Sequence, residues 1–257
     1  MQATLTVLGS GTSMGVPTIG CDCAVCHSQD PHDRRTRPSV MIGYSGRHVM
    51  IDTTPDFREQ ALRENITQLD AVLYTHTHAD HILGIDDLRP LTYRHKPGRL
   101  PLYATTRNCE FLRNMFRYIF EAEYKFGGLP LVELHPIEGS VELFGARFEP
   151  VTVIHGETPI LGFRFGSAAY LTDHSKVPAE TLEKLRDLDI LFLDALRYKP
   201  HPTHSTVEQS LKIVDAVKPK RTFFTHICHD LPHEATNAAL PPDVRMAFDG
   251  MKLEFEI

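Results

Sequence analysis

Thr75-His76-Thr77-His78-Ala79-Asp80-His81 gathers three imidazoles and a carboxylate within six residues. It follows directly on the apolar run from Leu69 to Tyr74, whose length and composition predict a buried strand. The spacing is not the i, i+4 pattern that sets two histidines on one helix face. At i, i+2, His76 and His78 reach a common ion only from an irregular loop, and Asp80 and His81 diverge toward a neighbouring ion. Packing explains such a cluster poorly, because each buried imidazole needs a hydrogen-bond partner. The stretch therefore predicts a metal site where a strand leaves its sheet.

Three further donors stand at the ends of predicted strands. His155 follows Thr152-Val153-Ile154, Asp173 follows Tyr170-Leu171-Thr172, and His226 follows Phe223-Phe224-Thr225. Each alone reads as a turn or cap residue. Together they add ligand chemistry at the strand ends, where a β-rich scaffold usually builds its sites.

The rest of the chain supports a β-rich reading. Alternation and β-formers predict strands over Ala3 to Leu8, Ser39 to Tyr44 and His48 to Ile51, the last two joined at Ser45-Gly46. Later strands are predicted over Val141 to Phe144, Ala146 to Ile154, Leu161 to Phe165, Ala168 to Leu171, Ile190 to Leu193 and Arg221 to Thr225. Helices are expected from Thr54, as N-cap before Pro55, to about Asn65, and from about Arg107 to Glu123. Pro178 opens another, with Leu182, Leu185 and Leu188 on one face. Ser205 with Glu208 reads as a capping box for a helix carrying Val207, Leu211, Val214 and Val217. The expectation is a single domain, residues 1–257, with two β-rich halves flanked by helices.

Cys21-Asp22-Cys23-Ala24-Val25-Cys26 supplies three thiolates, one ligand short of a tetrahedral structural site. His229, three residues after His226, is the attractive fourth, with Cys228 and His27 as rivals. A structural zinc on Cys21, Cys23, Cys26 and His229 would tie the N-terminal loop to the active-site edge.

Composition narrows the class. The 257 residues are 42% hydrophobic and 23% charged, enough apolar material for a sizeable core. No apolar run approaches the ~18 residues of a membrane span, and Met1 to Asp33 holds no Lys or Arg, so no export signal is expected and a cytoplasmic setting is. In a reducing compartment a cysteine cluster reads first as a metal site rather than a disulfide framework. The net charge of −6 argues against a general nucleic-acid or anionic-membrane binder.

These motifs resemble the metallo-β-lactamase superfamily along nearly the whole chain. The resemblance implies an α/β fold of αββα sandwich type with a dinuclear site along one edge. It implies that His76, His78 and His155 hold the first metal, and Asp80, His81 and His226 the second. Asp173 resembles the bridging carboxylate, and Asp52, after Val49-Met50-Ile51, the buried aspartate that orients the site. Ligands of this kind suit Zn²⁺, with Mn²⁺ and Fe²⁺ as alternatives.

Gly9-Ser10-Gly11-Thr12, Gly15-Val16-Pro17, the cysteine trio, Thr225-His226-Ile227-Cys228-His229 and Phe248-Asp249-Gly250-Met251 together resemble the phosphodiesterases of the carbon–phosphorus lyase pathway. That resemblance implies hydrolysis of a small cyclic phosphodiester, 5-phosphoribosyl 1,2-cyclic phosphate, to ribose 1,5-bisphosphate, with water activated between two metal ions. It also implies a homodimer. His204 resembles a histidine near the scissile phosphate and is the candidate proton donor to the leaving oxygen, with Asp80 a second candidate for proton transfer. For a terminal phosphate the available cations include Arg89, Arg94, Arg197 and Lys199. The run Arg34, Arg35 and Arg37 either covers the cysteine loop or lines an entrance. Alternatives are a tRNA 3′-end nuclease, whose long tRNA-holding arm this sequence lacks, and a non-catalytic accessory protein of cofactor biosynthesis, whose relatives look degraded at the central histidines.

Overall fold

The computed structural model describes residues 1–94, 98–121 and 128–257. Strands β1 (Gln2–Gly9), β2 (Ser39–Tyr44), β3 (Arg47–Ile51), β4 (Ala71–Leu73), β5 (Leu100–Ala104) and β6 (Val132–Pro136) form one sheet. The chain returns to complete it with β14 (Lys252–Glu256), in the order β14-β1-β2-β3-β4-β5-β6. The second sheet contains β7 (Val141–Leu143), β8 (Ala146–His155), β9 (Thr158–Phe165), β10 (Ala168–Leu171), β11 (Ile190–Asp194), β12 (Arg221–Thr225) and β13 (Val244–Met246). Its order is β13-β12-β11-β10-β9-β8-β7.

Alternation of side chains assembles the layers. Leu5 and Val7 of β1, Val40 and Ile42 of β2, Phe163 and Phe165 of β9, and Tyr170 and Phe192 pack into one core between the sheets. Residues of the opposite parity face outward and are covered by helices. Met50, Val72 and Leu102 pack against Phe57 of α1 (Phe57–Arg63), Ile82 of α2 (Ala79–Ile82), Leu91 of α3 (Arg89–Thr92), Leu112 of α4 (Thr106–Met115) and Ile119 of α5 (Arg117–Phe120). On the far side Ala169, Leu191, Leu193 and Phe224 lie under Leu182 of α6 (Ala179–Lys184) and Val207, Val214 and Val217 of α7 (Val207–Val217). A last helix, α8 (His233–Ala239), precedes β13. The architecture is the expected αββα sandwich.

Pairing direction decides where the site falls. β3 to β6 run parallel, as do β10 to β13, while β8 and β10 both lie antiparallel to β9. The C-terminal ends of β3 and β4, and of β8, β10, β11 and β12, therefore collect at one edge, where open parallel sheets bind ligands.

Several local expectations shift. The first helix begins at Phe57 rather than at Pro55, with Asp56 as N-cap. Thr54 Oγ1 instead accepts the Asp56 N–H at 3.1 Å, and Thr53 N–H donates to His81 O at 2.8 Å, so this stretch is held to the site loop and cannot coil. Asn65 ends the turn as expected, in a left-handed conformation at φ 52°. The helix expected from Arg107 to Glu123 breaks at Phe116 into α4 and α5, and its last two residues lie outside the described residues. The capping box of α7 is Thr206 with Gln209, one residue beyond Ser205 and Glu208, because Ser205 Oγ is engaged with His174 Nδ1 at 3.0 Å. Strands β5, β6, β13 and β14 are not among those expected, although Lys252-Leu253-Glu254-Phe255-Glu256 of β14 has the polar–apolar alternation of a half-buried strand.

Gly9 and Gly11 join the two halves. A Cβ on Gly9 would fall 1.9 Å from Arg37 O, so only glycine fits there. The turn then docks on the second sheet's edge: Ile227 N–H donates to Ser10 O at 3.0 Å and Thr12 N–H to Ile227 O at 3.2 Å. Asp249 fixes it further, accepting from Ser10 and Thr36 backbone N–H groups at 2.9 Å.

Candidate metal centre

The seven expected ligands converge at the common edge in two groups, His76 with His78 and His155, and Asp80 with His81, Asp173 and His226. Within each group the donor atoms lie within 4.8 Å of one another. Asp173 stands between them: its Oδ1 is 3.2 Å from His81 Nε2, and its Oδ2 is 3.1 Å from His226 Nε2 and 3.9 Å from His76 Nε2. Asp80 Oδ2 lies 3.3 Å from His81 Nε2 and 3.7 Å from His226 Nε2. All are buried except His78, which is exposed at the rim.

The backbone is arranged for this convergence. Asp52, Asp173 and His226 each leave their strand with positive φ, at 65°, 55° and 56°. Non-glycine residues adopt that region at a cost of about 1–2 kcal/mol, and such strain clusters at functional sites. Asp52 is fully buried; it accepts from Thr75 N–H and Thr75 Oγ1 at 2.8 Å each and from His81 Nδ1 at 2.7 Å. Those bonds fix the start of the histidine loop and direct His81 Nε2 toward Asp80 and Asp173.

The donor set fits divalent ions. His76 Nε2, His81 Nε2, His226 Nε2 and Asp80 Oδ2 are buried without a hydrogen-bond partner, an arrangement that carries a large desolvation penalty unless a cation completes it. Two of the other ring nitrogens are held, His76 Nδ1 at 3.0 Å from Thr75 Oγ1 and His155 Nδ1 donating to Thr203 O at 2.9 Å, while His226 Nδ1 has no hydrogen-bond partner. Ligating histidines are typically oriented in this way. Charge points the same way. Burial alone would keep His226 neutral, but Asp173 and Asp80 outweigh it and push the imidazole to about 10. His81 is likewise driven well above its ordinary value against its burial, by Asp173, Asp80 and Asp52. Positive charge is required among these carboxylates, and two ions would supply it in place of protons.

His204 packs above this edge, its ring stacked on His226 at 4.5 Å and edge-on to His155 at 4.8 Å between centroids. Its Nδ1 is 2.7 Å from Asp194 Oδ2. Asp194 ends β11 just as Thr225-His226 ends β12, so the strand-end signal that marked Asp173 and His226 applied to it equally; the sequence reading stopped at Leu193. Thr75 is the other omission, a hydroxyl whose role depends on Asp52 being beside it. Asp80 is held below the usual carboxylate range, burial being outweighed by His81 and His226. It stands among the ligands as an ionised acid with no proton to donate.

The cysteine cluster resolves as well. His229 Nδ1 lies 3.1, 3.5 and 3.4 Å from the sulfurs of Cys21, Cys23 and Cys26, close to the ~3.5 Å separation that tetrahedral zinc bonds of ~2.3 Å to sulfur and ~2.0 Å to nitrogen require. A backbone N–H already supports a thiolate at Cys23: Cys26 N–H donates to Cys23 Sγ at 3.4 Å, the first cause of a Cys23 pKa lowered to about 6, whereas burial pushes the Cys26 thiol up to about 11. The rivals are placed elsewhere. Cys228 Sγ accepts the Asp230 N–H at 3.4 Å, and His27 is exposed beside Asp22.

Of the two roles open to the Arg34, Arg35 and Arg37 run, Arg35 takes the one at the cysteine loop. Arg35 is buried; it pairs with Asp33 at 2.8 Å and donates to Cys228 O and Leu231 O, pinning the cysteine loop to the His229 segment. Arg37 pairs with Asp56 at 2.8 Å, and Arg89 with Asp86 at 2.6 Å. Arg197 donates to Lys199 O and Pro200 O at 3.2 Å, and Arg94 lines a separate cleft of about 220 Å³ beside Arg47. The cavity opening on His76, His78 and His155 measures about 720 Å³, and Arg107 is the cation among its described lining residues.

The profile of the beta-lactamase superfamily domain matches residues 47–227, and the chain belongs to that superfamily. Within it this is a PhnP-like protein: the crystal structure of a diphosphatase from the PhnP family shares 62% identity over 99% of this chain and 98% of the other, with a TM-score of 0.94. An octanoyltransferase of Porphyromonas gingivalis is 39% identical over 251 residues, covering 96% of this chain and 50% of that protein, so the chain spans about half the length of that relative. Coenzyme PQQ synthesis protein B of Methylobacterium nodulans is 33% identical over 213 residues, 73% of this chain and 71% of that protein. The chain thus has the metallo-β-lactamase fold and is PhnP-like in sequence. No helix among the described residues is long and apolar enough to cross a membrane.

Proposed function

We propose that this protein is a hydrolase that cleaves a P–O bond in a small phosphodiester. The observation that carries the reading is the complete set of seven converging donors together with the Asp194–His204 pair set above them at 2.7 Å. Two divalent ions held by His76, His78 and His155 and by Asp80, His81 and His226, with Asp173 between, would acidify a shared water and offset charge on the phosphoryl oxygens. A structural zinc would occupy Cys21, Cys23, Cys26 and His229.

The chain's own groups supply the rest. Asp194 accepts from His204 Nδ1–H and so fixes the ring; Nε2 has a proton to give in the imidazolium form, in which both ring nitrogens are donors and the Asp194 carboxylate offsets the charge. In the reaction the oxygen of water joins phosphorus, one P–O bond breaks, and the departing alkoxide takes the proton from His204 Nε2. His155 holds the 203–204 segment through Thr203 O, so ligand and proton donor are positioned by one contact. Asp52 and Thr75 keep the histidine loop in register.

5-Phosphoribosyl 1,2-cyclic phosphate is the substrate implied by the motif resemblance: ring opening releases the sugar 2-oxygen and leaves ribose 1,5-bisphosphate. The 62% identity to a diphosphatase favours a second reading, a diphosphate whose anhydride oxygen departs instead. Phosphorus NMR of the metal-loaded protein tests both. Loss of the cyclic-phosphate resonance, with His76→Ala silent, supports the first; cleavage of a diphosphate diester alone supports the second. If neither these nor bis(p-nitrophenyl) phosphate is hydrolysed, the phosphodiester reading fails.

A further inference from the structure

The 720 Å³ cavity on the His76, His78 and His155 side is walled by one face of α4 and by the start of β9. It is larger than the scissile group needs and falls in the range of sites that enclose a whole small molecule. Arg107, Phe111 and Asn114 lie at i, i+4 and i+7 on α4 and share the face that lines it. The opposite face of α4 carries Cys109 and Leu112 into the core. Phe111 is therefore not a packing residue: it is 46% exposed, inside a concavity next to the candidate metal centre. Facing α4, Pro159, Ile160 and Leu161 of β9 provide an apolar wall.

Charge decides what such a cavity takes. Among its described lining residues Arg107 and Glu110 are the charged pair, and they cancel. A terminal phosphate dianion would find one cation and one repelling carboxylate there. A neutral heteroaromatic ring finds an aromatic face, an apolar wall, the amides of Asn108 and Asn114, and a guanidinium fork for its acceptor edge. We infer that this cavity is a nucleoside subsite: the second arm of the phosphodiester carries a nucleobase that stacks on Phe111 and is read by Arg107. The inference rests on the phosphodiester reading but departs from the cyclic sugar phosphate named under it: it narrows small diesters in general to nucleotidyl diesters. Phe111 and Arg107 act as specificity-determining residues.

Two chromogenic diesters with the same leaving group isolate the arm. Thymidine 5′-(p-nitrophenyl phosphate) carries a nucleoside and methyl p-nitrophenyl phosphate does not. The metal-loaded wild type is expected to prefer the nucleoside ester in kcat/KM. Phe111→Ala and Arg107→Ala, both at exposed positions, are expected to lower kcat/KM for that ester roughly five- to hundredfold, the range of a lost base–aromatic stack. The methyl ester should be unaffected. Saturation-transfer NMR with thymidine 5′-monophosphate gives a readout independent of turnover: its base protons should receive saturation from wild type and not from Phe111→Ala. Hydrolysis of both esters with no preference and no effect of the variants overturns the subsite and leaves the hydrolase reading standing. Binding of thymidine 5′-monophosphate through its base, without hydrolysis of either ester, supports the subsite and overturns the phosphodiesterase. Absence of both signals overturns both.

Discussion

Replacing Asp52 by asparagine preserves shape and volume but changes one acceptor into a donor, and the surroundings determine the consequence. Asp52 accepts three hydrogen bonds, from Thr75 N–H and Thr75 Oγ1 at 2.8 Å and from His81 Nδ1 at 2.7 Å. With the amide oxygen toward Thr75 N–H, the NH₂ group faces Thr75 Oγ1, which can accept, and His81 Nδ1. His81 must then carry its proton on Nε2, the atom directed at Asp80 and Asp173. The opposite orientation keeps the His81 bond but sets NH₂ against the buried Thr75 N–H, which costs about 1–3 kcal/mol. Either choice weakens the second ion. The expected loss is about 10–100-fold in metal affinity, equivalent to about 1.4–2.7 kcal/mol. Competition against a chelator, with metal counted by mass spectrometry, measures it on Asp52→Asn and wild type in parallel. Metal bound as tightly by a folded Asp52→Asn variant as by wild type would refute the assignment of Asp52 as the residue that sets the His81 tautomer.

Other outcomes are expected from the same geometry. His204→Ala should lower kcat by about 10²–10⁴ for an alkyl leaving group and far less for p-nitrophenolate, which leaves without a proton; equal losses on both would remove His204 as the proton donor. Asp194→Asn should reproduce the alkyl defect in part, with KM little changed. Cys23→Ser should cost about one equivalent of bound metal and lower the melting temperature, because the 21–26 loop loses its link to His229; an unchanged metal count would contradict the four-ligand site. His233 is held at about 4, first by burial and then by the charge of His32. Its folded-state value lies below the unfolded ~6.5, so its contribution is present above pH 6.5 and is lost as pH falls toward 4. The stability difference between wild type and His233→Gln should shrink over that window, and a difference independent of pH would count against this account.

The ligand-bearing segments were legible in sequence because their signals are local. A strand ending in His-x-His-x-Asp-His is readable within seven residues, and His155, Asp173 and His226 end strands whose own alternation is plain. The αββα layering follows from the same alternation, since residues of one parity must meet the other sheet and residues of the other parity must meet helices. The cysteine trio likewise announces a metal site three donors at a time.

What the sequence left open depends on contacts between distant residues. Cys21 and His229 are 208 positions apart, and only the docking of the Ser10–Thr12 turn on Ile227 selects His229 over Cys228 and His27. Ser205 loses the α7 cap to Thr206 because His174 claims its hydroxyl. Arg35, part of a basic run that the sequence leaves between covering the cysteine loop and lining an entrance, is buried because two carbonyls of the 228–231 segment and Asp33 satisfy it. Asp194 gains its role from His204, and Arg107 and Phe111 gain theirs from the β9 wall across the cavity. Local pattern determines which residues can bind a metal and which faces are buried; burial and long-range pairing decide which donors share an ion, which charges are neutralised, and what shape of substrate the edge admits.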